Sequence, residues 1–338
     1  MNRVRWSRLK YFIYDLIHAS GLSQENAKTM AEVFIRATAR GVGHHDIYDL
    51  PGRLKAICNG DINANPQIRL LNKFAALESY SGDNGPGEVC CFFAMERAKR
   101  LADEYGIGLC SISDSNHYLA SAPYIEKAVE EGYLAVLFTK GGPIMGAPGR
   151  PEKVMGFGAA TDKDYPILLD ICLSYISYGA LGKRIKLGQK VPSHWGFNRE
   201  GNPTTDPAEL MEGTIAPIGG HKGFGLSMLG EILTGILSGG QVIDEPHPLS
   251  GKVAVACQAA IAMKPDGLMS PEEFRKRTTE MIDRMEKRAP GLRIPGENSA
   301  RNRKEIEEKD EILLEAGIIQ ELNRWAERLG VACLDTLD

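Results

Sequence analysis

The stretch GGHKGFGLSMLGEILTGILSG, residues 219–239, sets a cluster of glycines directly before an apolar helix. Glycines at a helix start let backbone N–H groups approach an anion, and the helix dipole favours negative charge there. Lys222 adds a full positive charge. The turn therefore reads either as a phosphate or pyrophosphate site or as a glycine turn needed for tight helix packing. It is not a Walker loop, because Gly223 stands where Ser or Thr would follow the lysine. A Rossmann fingerprint would follow an early strand, with an acidic residue about 20 positions further on. The chain has no such arrangement. Gly156 and Gly158 form a G-x-G without a third glycine or a clear following helix, and are expected in a loop.

Around that stretch the pattern alternates. Residues 7–20 and 23–40 read as helices, with Gly21 stopping the first, Ser23 capping the second and Gly41 ending it. DIYDLPGRLKAICNG reads as a third helix, with Pro51 in or near its first turn. PQIRLLN and FAALESY read as strands, 86–105 as a helix, and IGLCSIS (107–113) as a buried strand. A helix over about 121–131, the strand YLAVLFT, a Gly/Pro-rich loop, and the strands YPILLDIC and KVAVACQAAIAMK follow. The final 70 residues read as charged, amphipathic helix. The expectation is an α/β core with helical ends. Residues 1–65, completed by about 298–338, would form a helical part, and 66–297 the α/β part.

Bulk composition narrows the class. A chain of 338 residues has room for about two domains, and 43% apolar residues are enough for a core. A formal net charge of −4 with both signs interspersed gives no basic face for nucleic acid. No apolar run approaches the roughly 20 residues of a membrane span, and the N-terminus reads as an amphipathic helix, not a signal peptide. The seven cysteines have no zinc spacing and mostly sit in apolar runs, as small hydrophobes in a reducing, cytoplasmic compartment would.

Three places offer chemistry. His44 and His45 lie in RGVGHHDIYDLP, and His117 lies in DSNHYLAS just after a buried strand. A histidine there can donate a proton to a carbonyl being reduced, or be a hydrogen-bonded structural residue. Asp170, flanked by apolar residues in YPILLDIC, needs partners if buried. It would either accept from a ribose hydroxyl or hold a loop through backbone bonds.

Seven segments occur in one order: RGV with a following histidine and LP, GDNGPG, GIGL with SNH, YPILLD, GNPTTDP, GGHKGFG and RIPGENSARNR. Together they resemble the type-2 malate/L-lactate dehydrogenase family over about residues 5–330. The resemblance implies a non-Rossmann α/β fold, in which a mixed sheet binds a nicotinamide cofactor, NAD or NADP, and helices from both chain ends pack together. It also implies a homodimer. Cofactor contacts would come from Leu168, Leu169, Asp170 and Cys172, from His221, Lys222 and Gly223, and from Gly296 and Glu297. His45 matches the family's proton donor, and His117 matches a histidine with an acid/base role in part of the family.

The departures fall on the substrate side. Where the family reads D-S-H-G, this chain has Gly43, His44, His45 and Asp46, so His44 replaces a serine. Asp49 stands where an arginine usually grips the substrate carboxylate, and it would repel one. T-N-S becomes Thr139, Lys140 and Gly141, so Lys140 is a candidate replacement cation. Asp49 either shares a helix face with His45 or caps the third helix. The basic run Lys183, Arg184 and Lys186 would either meet a 2′-phosphate or be a solvated helix face. The expected reaction is hydride transfer with His45 donating the proton, on a small 2-oxo/2-hydroxy acid or related carbonyl compound. The alternatives are an imine reductase on a cyclic or N-substituted amino acid, or a cofactor-binding member without turnover.

Overall fold

The computed structural model describes residues 1–43, 45–140, 153–243, 245 and 255–337. Strand β1 (Asn2–Arg5) leads into helices α1 (Trp6–Ala19) and α2 (Gln24–Arg40). The Ser23 hydroxyl accepts from the Asn26 N–H at the start of α2, and Gly41 ends it in the left-handed region at φ 69°. A 3-10 turn, Ile47–Asp49, runs into α3 (Leu50–Cys58). Pro51 is tolerated there because the first N–H groups of a helix have no intrahelical partner.

The α/β part then runs β2 (Arg69–Phe74), β3 (Leu77–Gly85), α4 (Gly87–Tyr105), β4 (Ile107–Ser115), α5 (Ala122–Glu130), β5 (Leu134–Lys140), β6 (Lys153–Ala159) and β7 (Ile167–Cys172). A smaller region follows: α6 (Tyr178–Lys186), β8 (Gly196–Phe197), α7 (Pro207–Glu212) and β9 (Thr214–Ile215). Next come α8 (His221–Glu231), a π-helical continuation (Ile232–Ile236), β10 (Ala256–Met263), α9 (Pro271–Arg288), α10 (Glu297–Lys309), β11 (Glu311–Leu314) and α11 (Ala316–Leu329).

The sheet order is β2-β3-β4-β10-β5-β6-β7. Among the described residues only β3 and β4 pair in parallel, joined by α4; every other neighbouring pair of this sheet is antiparallel. A doubly wound dinucleotide fold is mostly parallel, so this mixed sheet has a different plan. Strand alternation gives the two faces separate covers. A Cβ on Gly108 would lie 2.2 Å from the Ala98 carbonyl of α4, whereas Ser111 donates to the Leu233 carbonyl of the π segment. Helices α4 and α5 thus lie on one face, and α8 with its π continuation on the other.

Both chain ends meet over α4 and α5. β1 pairs antiparallel with β11, and α2 packs on α10. One apolar cluster runs from Val4, Leu9 and Phe34 through Cys91 and Ile112 to Leu137, Leu168 and Leu322. The β1–β11 ribbon was not expected, because four residues carry too short a period to stand out beside helix.

Gly156 and Gly158 are not in a loop but inside β6, paired with Leu137 and Ala135 of β5. A Cβ on Gly156 would meet Ile125 Cδ1 at 2.5 Å, and one on Gly158 would meet Ile125 Cγ2 at 2.6 Å. The glycines are there so that α5 can sit directly on the strand, a close approach that a loop reading cannot anticipate.

Candidate active site

A cavity of about 1190 Å³ opens along the edge of β7. That exceeds the roughly 300–1,000 Å³ of an ordinary small-molecule pocket and suits a ligand the size of a dinucleotide together with a small substrate. Its walls are β7 itself (Leu168–Cys172), the start of α6 (Ser177–Ala180), the segment Arg293–Gly296, and at one end His45 and His117.

His45 and His117 are brought together from separate parts of the chain, with ring centroids 4.7 Å apart. His45 arrives from the α2–α3 connection. Its Nδ1 lies 3.1 Å from Asp49 Oδ2, one turn on. Asp49 makes no capping bond; capping falls to Asp46, which accepts from the Gly43 and Tyr48 N–H groups. Burial pushes the Asp46 carboxyl above its usual range, opposed by those two N–H groups. His117 follows β4, and its Nδ1 accepts from the Leu119 N–H at 3.1 Å. Arg53, one turn beyond Asp49, donates to the His117 carbonyl and Glu88, and its Nη2 lies 3.4 Å from His117 Nδ1. A Cβ on Gly87 would lie 2.1 Å from the Asn116 carbonyl, so glycine at the start of α4 lets the His117 loop seat there.

Asp170 lies in the cavity wall and accepts from the Ala122 N–H at 3.0 Å, at the positive end of α5. Burial pushes its carboxyl above the usual range, against the pull of the Ala122 N–H, of His45 and of Ser121. Gly296 adopts φ 97°, and a Cβ there would lie 2.9 Å from Leu168, so the Pro295–Gly296 turn lies flat on β7. The Leu168 N–H donates to the Pro295 carbonyl at 2.9 Å and extends the strand edge. A flat glycine turn against a strand edge, two helix starts and a buried carboxylate form a cradle that fits an extended dinucleotide.

Other residues named from sequence lie elsewhere. Lys140 is almost fully buried on the opposite face from Thr139, which lines the cavity. Its ammonium donates to the Gln241 carbonyl and lies 3.7 Å from Glu231 of α8. The expectation that Lys140 supplies the substrate cation is therefore corrected: strand alternation turns it toward α8. His221, Lys222 and Glu297 do not line the cavity; the first two are exposed at the start of α8, and Glu297 pairs with Arg301. Gly223 is buried, and a Cβ on it would lie 2.3 Å from the carbonyl of Ile218, a residue that does line the cavity. Lys183, Arg184 and Lys186 occupy the last turn of α6, while its first turn lines the cavity. Arg184 lies over the Trp195 ring at 5.3 Å. His44 and Gly141 lie outside the described residues.

Sequence reading missed Arg40 and Arg53. Arg40, in the RGV segment, lines the cavity, ion-pairs with Glu126 of α5 and donates to Ser299 at 2.7 Å. Arg303 of α10 and Arg36 of α2 reach the same carboxylate at 2.7 and 3.1 Å. These arginines hold Glu126 below its usual range despite burial. The cluster ties α2, α5 and α10 together beneath the Arg293–Ser299 wall. No group of three or more metal-ligating side chains occurs among the described residues.

Two histidines at the end of a cavity large enough for a dinucleotide are compatible with a cofactor-dependent oxidoreductase. The chain belongs to the malate/L-lactate dehydrogenase family, whose profile matches residues 4–323. It is 32% identical to a malate dehydrogenase of Pyrococcus horikoshii, over 97% of this chain and 96% of that one. It is 28% identical to a Δ1-pyrroline-2-carboxylate/Δ1-piperideine-2-carboxylate reductase of Pseudomonas putida, over 97% of each. The solved Pyrococcus horikoshii malate dehydrogenase superposes with a TM-score of 0.85 at 30% identity, covering 98% of this chain and 97% of that one. Members of the family are nicotinamide-dependent dehydrogenases and reductases.

Proposed function

We propose that this chain interconverts a small 2-oxo acid and its 2-hydroxy acid with NAD(H) or NADP(H). The observation that carries the reading is the His45–His117 pair at the end of the β7 cradle. A nicotinamide held in the cavity would supply or accept the hydride. Leu168, Leu169, Asp170, Cys172 and Gly296 would hold the cofactor, and His221, Lys222, Gly223 and Glu297 would add contacts to it from the starts of α8 and α10. His45 delivers the proton to the developing alkoxide oxygen in reduction and takes it back in oxidation. His117 donates a hydrogen bond to that oxygen. A second reading, reduction of a cyclic imine, is favoured by the carboxylates of Asp49 and Asp170 around His45, which suit a cationic nitrogen.

Titrating purified protein with NADH and NADPH should quench protein fluorescence with one or both. A screen of 2-oxo acids and cyclic imines should then oxidise the bound cofactor. Cofactor binding with no turnover on any of them would favour a member without activity; no binding of either cofactor would overturn the reading.

The chain is further read as a cytoplasmic homodimer with a helical part and an α/β part. No helix among the described residues is long and apolar enough to cross a membrane. Burial of Cys90, Cys91, Cys110 and Cys257 as small hydrophobes suits a reducing compartment. Leu226, Met228, Leu229, Ile232, Ile236 and Leu237 on α8 and its continuation are 39–56% exposed, an apolar face that a second copy would cover. Light scattering should give twice 37.0 kDa, and Leu229→Glu with Ile232→Asp should return the single-chain mass. A wild-type mass of one chain would refute the dimer.

A further inference from the structure

The two cavity histidines are held through the same atom, Nδ1, by partners of opposite character. Nδ1 of His45 faces the Asp49 carboxylate at 3.1 Å, and a carboxylate only accepts, so the ring carries its proton on Nδ1. Nδ1 of His117 receives the Leu119 N–H at 3.1 Å, with the Arg53 guanidinium 3.4 Å away, and both of these only donate. Its proton is therefore on Nε2.

The charges around the rings follow the same division. His45 faces the Asp49 carboxylate, and the carboxyls of Asp46 and Asp170 are close enough to feel its charge. His117 is met by Arg53, whose own charge is balanced by Glu88 at 2.7 Å. With centroids 4.7 Å apart, two imidazolium rings would repel strongly. The charge facing Nδ1 is thus negative at one ring and positive at the other.

We propose that Asp49 and Arg53 are positioning residues that hold His45 and His117 in opposite tautomers, making His45 the proton-transferring ring and His117 a fixed neutral donor. The assignment rests on the oxidoreductase reading above for its catalytic meaning. It gives Asp49 a purpose other than repelling a substrate carboxylate. In oxidation His45 accepts the substrate hydroxyl proton at Nε2 while Asp49 steadies the resulting imidazolium through Nδ1–H. In reduction the same proton returns to the substrate oxygen, and the hydride moves between the nicotinamide and the substrate carbon, so charge and atoms balance.

The test is the ¹⁵N spectrum of the histidine rings in wild-type protein without added cofactor, at a pH above the ordinary histidine range of about 6.5. His45→Gln and His117→Gln supply the assignments. His45 should appear as the Nδ1–H form and His117 as the Nε2–H form. Asp49→Asn, which keeps size and removes charge, should redistribute the His45 tautomer and leave His117 unchanged. On whichever substrate the wild type reduces, that variant should lose about tenfold or more in kcat, with an unchanged KM for cofactor. A wild-type His45 protonated on Nε2, a His117 protonated on Nδ1, or an unaltered His45 signal in Asp49→Asn would overturn the proposal. The ring signals need no turnover, so an inactive protein with the expected tautomers would sink the enzymatic reading while upholding the positioning.

Discussion

His45→Gln is expected to lower kcat by about 100- to 10,000-fold, the range that a positioned general acid contributes. That corresponds to about 3–5 kcal/mol in the barrier. Cofactor affinity should change little, because the contacts assigned to the cofactor run along β7 and Gly296, with only Asp170 of them near the His45 ring. The comparison variant is His117→Gln. It keeps a donor but loses the ring acceptor that receives the Leu119 N–H, and should cost less in kcat than His45→Gln. If His45→Gln retains more than about a tenth of wild-type kcat, another group moves the proton and the role given to His45 is wrong.

Glu126→Ala should be the most damaging change to stability outside the apolar core. The carboxylate is 4% exposed and answers Arg40, whose side chain is 2% exposed. Removing it strands a buried guanidinium, which costs about 3–5 kcal/mol. At roughly 2 °C per kcal/mol this is a drop of about 6–10 °C in Tm. Glu130→Ala, which removes a 44%-exposed member of the same cluster, should cost less than about 1 kcal/mol. The cluster also sets an acid limit. The folded-state pKa of Glu126 lies below its ordinary value. Its contribution is therefore complete above the ordinary glutamate range and is lost as pH falls through the folded value. Wild type should show this acid loss and Glu126→Ala should not; equal thermal stability of the two at neutral pH would refute the clamp.

The long helices and buried strands could be read from the sequence, because their apolar spacing is set by local geometry: α1, α2, α4 and β4 fall within two residues of expectation. Strand β7 was likewise visible in YPILLDIC, whereas Gly296 was singled out only through the family resemblance carried by RIPGEN. Features that depend on distant partners were not. β6 looked like a loop because its glycines answer to α5, an element more than twenty residues upstream. The β1–β11 ribbon joins residues about three hundred positions apart. Lys140 looked like a substrate cation because strand alternation leaves a single position free to face either side, and only Glu231 and Gln241 show which. Arg53 was passed over because an arginine in a helix is usually a solvated charge. Its meaning comes from the His117 loop, which reaches it from 64 residues away.

Direct hydride transfer can be followed by isotope. Wild-type protein would be supplied with reduced cofactor carrying deuterium at both C4 positions and with the acid or imine that gives the fastest cofactor oxidation. The product would then be analysed by mass spectrometry. One deuterium on the carbon that was the carbonyl or imine carbon, unchanged in amount between light and heavy water, is the expected result. Cofactor oxidation that leaves the product without deuterium, or with label drawn from solvent at that carbon, would contradict hydride transfer in the β7 cavity.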